Sequence, residues 1–401
     1  MTKERGYPSK RWGGFSIKRK RGREVCPVIS DEWEENISSC SRRYIMKEEW
    51  LRRTIKDFKP YFVAPIQEKN VINANESCFN VLSLPSVKEE LIEKLDEFRP
   101  QLYPLPMADG LRCLLADYMG VKEENIICGN GGDEMISYVM GTFLDPGDQI
   151  LIHSPTFDMY ELGAETLGAS AIKIKDLPGY RRDQKGLLDA VRKYQPKVTV
   201  ICNPNNPTGE IISASFIEEV LKAAENIVFV DEAYMEFAGK ESVVSLIDTY
   251  PNLIVLRTLS KAFGLAGMRC GYLVADKELI DGIAKIKAPY NLNSFTQLLA
   301  EIVVRHKEEV LFWKDRIIEE RERLYEELKK IPGVTVYPSS TNFLLVQVER
   351  NHEEIFEALR KEDILVKVYK GNEELPNAYR ITVTTRDVDD RLLNVFKKEL
   401  Q

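Results

Sequence analysis

The sequence contains little histidine and no paired metal-binding cysteines. Three histidines occur among 401 residues, and the seven cysteines are scattered without a Cys-x-x-Cys pair. Metal sites and disulfide frameworks both need closely spaced ligands or an organised set of cysteines. We therefore predict no metal, and a reduced enzyme in the cytoplasm.

Long apolar runs and a strong charge of one sign are also lacking. No apolar stretch approaches the roughly 18 residues of a membrane span, and the N-terminus has no apolar signal region. The net charge is −7. It is spread along most of the chain, so neither nucleic acid nor a membrane is expected as a partner. There is no internal repeat.

The first 50 residues differ from the rest because they are polar and carry a basic run at Lys18–Arg23. Such a run is typical either of a nucleic-acid or targeting arm or of a solvated tail, and we favour the tail. A chain of 401 residues is long enough for two or three domains.

Short apolar runs alternate with helical patterns from about residue 100 onward, with Ser213–Glu225 as a clear helix candidate. The runs are NIIC (125–128), QILI (149–152), VTVIC (198–202), NIVFV (226–230), NLIVL (252–256) and GYLVA (271–275). This alternation predicts βαβ units and a mainly parallel sheet with helices on both faces.

The last hundred residues predict a second, smaller α+β domain. A helical stretch at Tyr290–Ile331 leads into it, and a β-α-β pattern with ILVKVY (364–369) and AYRITVTT (378–385) follows. The helical segment Val87–Arg99 is expected to join it. The predicted division is a polar extension at 1–58, a first part of the small domain at 59–100, a large domain at 101–300 and the rest of the small domain at 301–401.

Three apolar runs lead directly into polar loops, which in open α/β sheets gather beyond the carboxyl ends of the strands. Those loops carry an amine, a carboxylate, a phenol, an amide, two hydroxyls and a guanidinium: Lys261, Asp231, Tyr234, Asn206, Thr258, Ser260 and Arg269. No histidine stands near as a base for a serine nucleophile. An amine that forms an imine with a carbonyl cofactor fits this set better.

The motifs NPNNPTG (203–209), DEAYMEF (231–237) and TLSKAFGLAGMR (258–269), in this order, resemble the fold-type I aminotransferases that depend on pyridoxal phosphate. The resemblance covers roughly 300 residues. It points most closely to the histidinol-phosphate aminotransferase branch, through KPYFVAP (59–65), INANES (72–77), LYPLP (102–106), GNGGDE (129–134), SPTFDMY (154–160) and YRITVTT (379–385).

The resemblance implies catalytic roles for three residues. Lys261 would form the aldimine with the cofactor and shuttle a proton. Asp231 would pair with the pyridine nitrogen and keep it protonated. Tyr234, together with Asn206, would donate to the 3′-oxygen of the ring.

The resemblance also implies how the rest of the cofactor is held. Thr258, Ser260 and Arg269 would bind its phosphate with side chains, and Gly132 and Asp133 with backbone amides at a helix start. Phe157 would stack on the ring. Tyr103 would reach the phosphate of the neighbouring subunit, which implies a homodimer with shared sites.

Substrate recognition is implied for Arg380, which would bind an α-carboxylate with its planar fork, beside Asn206 and Tyr61. Lys367 stands where the branch usually has a phosphate-binding arginine, and Thr384 stands where a glycine is expected. Lysine keeps the charge but loses the bidentate fork. Our hypothesis is that Lys367 contacts a distal anion on the substrate.

The expected reaction is ping-pong transfer of an amino group from histidinol phosphate to 2-oxoglutarate, giving imidazole acetol phosphate and glutamate. Three alternatives stay open at this point. The substrate could be an aromatic or specialised amino acid, or the reaction could be a decarboxylation of the threonine-phosphate type. A DNA-binding regulator with an aminotransferase-like domain is disfavoured, because residues 1–58 are barely long enough for a separate domain.

Overall fold

The computed structural model describes residues 50–58 and 66–401, so the KPYFVAP motif with Tyr61 and the basic run Lys18–Arg23 lie outside the described residues. In chain order the strands are β1 Asn70–Ile72, β2 Ile126–Gly129, β3 Gln149–Ser154, β4 Ser170–Lys175, β5 Val198–Cys202, β6 Ile227–Asp231, β7 Leu253–Thr258, β8 Gly271–Ala275, β9 Val334–Val336, β10 Phe343–Val348, β11 Ile364–Val368 and β12 Ala378–Thr382.

The α-helices are α1 Pro85–Leu95, α2 Asp109–Met119, α3 Gly131–Phe143, α4 Met159–Thr166, α5 Gln184–Tyr194, α6 Ala214–Ala223, α7 Lys277–Ala284, α8 Ser294–Arg305, α9 Lys307–Lys329, α10 His352–Lys361 and α11 Arg386–Leu400. Short 3-10 turns lie at Arg53–Ile55, Val81–Ser83, Glu123–Asn125, Met235–Phe237, Val243–Leu246 and Ala266–Met268. Within the described parts of the chain, no helix combines the length and the apolar character that a membrane crossing requires.

The larger sheet has seven strands in the order β2-β8-β7-β6-β5-β3-β4. Strands β3 to β7 run parallel to one another, and β8 is antiparallel to both of its neighbours. The order places β5, β6 and β7 side by side in the middle. The loops that follow these three strands therefore meet at one edge of the sheet.

Both faces of this sheet are buried, which explains the near-continuous apolar runs of its strands. Successive residues alternate between two cores: Val228 and Val230 pack on one face, whereas Phe229 and Ile254 pack on the other. The prediction of a mainly parallel sheet flanked by helices is confirmed. The predicted helix at Ser213–Glu225 is also present, and the Ser213 hydroxyl caps it by accepting the Phe216 N–H.

The smaller sheet has five strands in the order β1-β11-β12-β10-β9. Only β1 and β11 pair in parallel; the other neighbours are antiparallel. A separate apolar core, including Leu324, Phe343 and Leu392, lies between this sheet and the helices α9 and α11.

Two features differ from the sequence expectation. Strand β4 was not predicted, because its side chains are mostly half-buried or exposed and include two lysines. The stretch Tyr290–Ile331 forms two helices separated at His306, which caps the end of α8 and the start of α9. The proposed division into domains at residues 58, 100 and 300 stays a prediction.

Candidate active site

The three predicted loops meet at the carboxyl edge of the large sheet. Asn206 follows β5, Asp231 is the last residue of β6, and Lys261 follows β7. Asn206 and Asp231 are buried and Lys261 is half-buried. Parallel pairing of β5, β6 and β7 is what brings together residues that are far apart in the chain.

Asp231 is a buried carboxylate held by two neutral donors. The Tyr160 hydroxyl donates to Oδ2 at 2.6 Å, and the Ala233 N–H donates to Oδ1 at 3.0 Å. Burial raises the pKa of Asp231 to about 6, although both hydrogen bonds act in the opposite direction. A carboxylate in this setting is stabilised as an anion by a cationic partner.

Lys261 is an amine whose proton is easily lost. Its Nζ donates to the Ala74 carbonyl at 2.8 Å and lies 5.9 Å from the centroid of the Tyr234 ring. Burial lowers the pKa of Lys261 to about 8, and the positive charges of Arg380 and Arg269 act in the same direction. A minority of this amine is therefore neutral near physiological pH, and the neutral form is the nucleophile.

Tyr234 is positioned by a residue that the sequence analysis did not single out. Asn75 Nδ2 donates to the Tyr234 hydroxyl at 2.8 Å. Asn75 is itself fixed, because its N–H donates to the Thr382 hydroxyl at 3.0 Å and its carbonyl accepts from Asn342 Nδ2 at 3.0 Å. Through these contacts Asn75 links the small sheet to the candidate site.

Arg380 points from β12 of the small sheet into the same region. Its Nη1 donates to Asn206 Oδ1 at 2.6 Å and its Nη2 to the Asn73 carbonyl at 2.7 Å. Its Nε is buried and has no hydrogen-bond partner among the described residues. Lys367 lies directly opposite Arg380 in the antiparallel pair of β11 and β12. The two cations consequently share one face of the small sheet.

A group of donors lies at the end of β7. The Thr258 and Ser260 hydroxyls are 3.0 Å apart and buried. Nearby, Arg269 Nη2 contacts Asp133 Oδ2 at 3.0 Å. Asp133 and Gly132 belong to the first turn of α3, whose unpaired backbone amides favour an anion.

Two glycines allow the start of α3 to approach these donors. A Cβ on Gly131 would lie 2.5 Å from Arg269 Nη2, and a Cβ on Gly271 would lie 2.6 Å from the carbonyl carbon of Gly131. Any side chain at either position would separate the helix start from the guanidinium. The result is a small polar cup suited to a phosphate-sized anion.

Other predicted residues lie at the margin of this region or outside it. Phe157 is half-buried, with its ring edge-to-face against Tyr160 at 5.8 Å between centroids. The Tyr103 side chain is 80% exposed and stacks on Tyr290 at 4.5 Å. It contributes nothing to the cup of its own chain in this structure. Tyr61 is among the residues that are not described.

The residues missed from the sequence are Asn75, Tyr160 and the carbonyls of Asn73 and Ala74. Both side chains stand within motifs that were noted, INANES and SPTFDMY. The motifs identify these segments of the sequence. Tertiary packing determines which of their atoms contact Tyr234 and Asp231.

Comparison with known proteins agrees with this geometry. A family model for aminotransferase class I and II matches residues 69–396. The histidinol-phosphate aminotransferase of Thermoanaerobacter pseudethanolicus is 41% identical over 362 residues, which cover 88% of this chain and 100% of that relative.

Two solved structures with the same fold are named for activities that differ from each other, one an aminotransferase and one a decarboxylase. Histidinol-phosphate aminotransferase from Sinorhizobium meliloti, in complex with pyridoxal-5′-phosphate, superposes with a TM-score of 0.79 at 22% identity, covering 90% of this chain and 99% of that one. L-threonine-O-3-phosphate decarboxylase from Porphyromonas gingivalis gives 0.72 at 22% identity, covering 82% and 98%. At this identity the two structures establish the fold alone.

Proposed function

The chain belongs to the aminotransferase class I and II family, and on that premise we propose that it transfers the amino group of histidinol phosphate to 2-oxoglutarate with pyridoxal phosphate as cofactor. The products are imidazole acetol phosphate and glutamate. The observation that carries this proposal is the meeting of a readily deprotonated lysine and a buried carboxylate at one edge of the large sheet with a buried guanidinium from the small sheet.

The described residues fit the cofactor at both of its ends. The buried Asp231 carboxylate suits a protonated ring nitrogen, since burial without a cation leaves its pKa raised. The cup formed by Thr258, Ser260, Arg269 and the first turn of α3 suits a phosphate. Tyr234, held by Asn75, and Asn206 are the proposed donors to the ring oxygen.

When bound, pyridoxal phosphate supplies an aldehyde that reacts with amines and a ring that withdraws electrons from the substrate's α carbon. The protein's own contribution is proton transfer and orientation. Lys261 Nζ would bind the aldehyde carbon and, once released, would take the proton from the substrate's α carbon and deliver it to the former aldehyde carbon of the cofactor. Asp231 would stabilise the positive charge on the ring nitrogen. Arg380 would orient the carboxylate of glutamate through its planar fork.

A half-reaction experiment tests this function. The protein is loaded with pyridoxal phosphate and mixed with single amines in the absence of an oxo acid, while the visible absorbance of the bound cofactor is followed. Rapid loss of absorbance with histidinol phosphate, but not with aromatic amino acids, is expected. Loss with aromatic amino acids would reassign the substrate, and release of carbon dioxide from threonine phosphate would reassign the reaction.

Lys367 is the proposed contact for the distal phosphate of the substrate. Replacing it by alanine should raise KM for histidinol phosphate about 10-fold or more, since a hydrogen bond to a charged group is worth roughly 1.5–3 kcal/mol. The amount of bound cofactor should not change, because the cup lies on other elements. Steady-state kinetics and a cofactor titration measure the two quantities.

Two further variants sharpen that test. Lys367→Arg restores a planar fork and should lower KM below the wild-type value. Lys361, an exposed lysine on α10, is the control, and Lys361→Ala should leave KM unchanged. An unaltered KM in Lys367→Ala would reject the phosphate contact.

The proposed active unit is a homodimer in which Tyr103 reaches the phosphate of the neighbouring subunit. The exposed, stacked pair of Tyr103 and Tyr290 supports this, together with the exposed Leu102 and Leu105 beside it. Light scattering should give about twice the mass of one chain. Tyr103→Phe should weaken cofactor binding while leaving the dimer intact; a monomer with full activity would contradict the proposal.

A cytoplasmic location stays a prediction.

A further inference from the structure

A buried group of charges lies on the face of the large sheet opposite to the side chains of Asp231 and Thr258. Arg257 is the penultimate residue of β7 and is 4% exposed. Its Nη1 contacts Glu232 Oε2 at 2.8 Å, and its Nη2 contacts Glu236 Oε1 at 2.5 Å. The side chains of both glutamates are at most 5% exposed. We call Arg257, Glu232 and Glu236 the rear triad.

The rear triad is adjacent in the chain to residues of the candidate site. Glu232 follows Asp231, and Glu236 lies two residues beyond Tyr234. Arg257 precedes Thr258, from which the chain continues to Lys261. Because side chains alternate along a strand, Thr258 and Arg257 point to opposite sides of β7.

The carboxylates are anchored on their other sides as well. Glu232 accepts hydrogen bonds from the Ser242 hydroxyl at 2.5 Å and from the Val243 N–H at 2.9 Å. Glu236 also accepts from the Tyr118 hydroxyl at 3.4 Å. The triad is thus fixed to the start of the 3-10 turn after residue 242 and to helix α2.

From this arrangement we propose that Arg257 is a positioning residue for the cofactor. The Arg257 guanidinium joins the segment 231–236, in which Asp231 and Tyr234 would face the cofactor ring, to the end of β7, where Thr258 would face the phosphate. The clamp fixes the separation of the two ends of the binding site. This inference rests on the proposed function, since it assigns a task relative to pyridoxal phosphate.

The chemistry of the triad favours positioning over simple stabilisation. Burying three charges is costly, and a buried ion triad replaced by neutral groups of similar shape often leaves a protein equally stable or more stable. A planar guanidinium with two carboxylates, in contrast, fixes both distance and angle. Lysine would keep the charge and lose the second contact.

The test separates positioning from stability with three variants. Arg257→Met leaves two buried carboxylates uncompensated and should lower the melting temperature of the cofactor-free protein. Combining Arg257→Met with Glu232→Gln and Glu236→Gln removes that charge imbalance and should restore much of the loss. Arg257→Lys should melt near the wild type. All three should bind pyridoxal phosphate at least about tenfold more weakly in absorbance titrations.

A matched control is available in the buried pair of Arg182 and Asp176, 3.0 Å apart, which joins no two loops of the site. Arg182→Lys should keep wild-type cofactor affinity. If the triple variant regains affinity together with its melting temperature, the triad is only structural and the inference is overturned. If the wild-type protein binds no pyridoxal phosphate at all, the proposed function itself fails, which is a separate result.

Discussion

Replacing Lys261 by alanine should abolish amino-group transfer, lowering kcat by at least about 10⁴-fold, the upper range for one positioned proton-transfer group. The loss should be large because, in the proposed mechanism, the same amine acts as nucleophile and as proton carrier. Formation of glutamate from 2-oxoglutarate and histidinol phosphate measures it.

A chemical labelling experiment gives a readout that does not depend on turnover. Borohydride reduction of the protein with pyridoxal phosphate should attach one pyridoxyl group to the peptide that contains Lys261. The rate of attachment should rise with pH, reach half of its maximum near pH 8 and level off about one pH unit higher, since the lowered pKa of Lys261 sets the fraction of neutral amine. Lys261→Arg keeps the charge without the nucleophile and should remain unlabelled. Labelling of a different lysine would contradict the assignment.

Replacing Asp231 by asparagine should have opposite effects on catalysis and on stability. The amide cannot balance a cationic ring nitrogen, so kcat should fall by at least about 10²-fold, as for a lost electrostatic contact in a buried site. The cofactor-free variant should nevertheless be more stable than the wild type at pH 8. Steady-state kinetics and denaturant unfolding of the cofactor-free proteins measure the two effects.

The stability effect follows from the pKa of the carboxyl. Its folded value, about 6, lies above the ordinary 3.8, so the folded state holds the proton longer than the unfolded state. The wild type therefore loses stability as pH rises from about 4 to about 6, by about 3 kcal/mol in total. The amide of the Asp231→Asn variant has no proton to lose, so the unfolding free energy of that variant should lack this decline. Parallel pH profiles for the two proteins would refute the assignment.

Most of the large sheet could be predicted because its strands are apolar on both faces. All six apolar runs became strands with ends displaced by at most two residues. Strand β4 gave no such signal, since it lies at the sheet edge and carries Lys173 and Lys175. The break at His306 was also missed, because the residues on both sides of it are good helix formers.

The candidate site was predictable to the level of segments but not of atoms. The order of the strands determines that Asn206, Asp231 and Lys261 lie at one edge, and that order follows from general rules for parallel sheets. The contacts of Asn75 with Tyr234 and of Tyr160 with Asp231 join residues 159 and 71 positions apart. Such pairings depend on how the small sheet and α4 pack, which no local pattern encodes.

The carbonyls of Asn73 and Ala74 have a consequence for ligand affinity. They accept hydrogen bonds from Arg380 and Lys261, so the main chain competes with any anion for the same donors. A substrate carboxylate must displace a neutral acceptor, and its net gain is the difference between the two interactions. A charged ligand should therefore be favoured over a neutral analogue of the same shape. We therefore expect the two backbone carbonyls at residues 73 and 74 to make binding at Arg380 depend on the charge of the ligand.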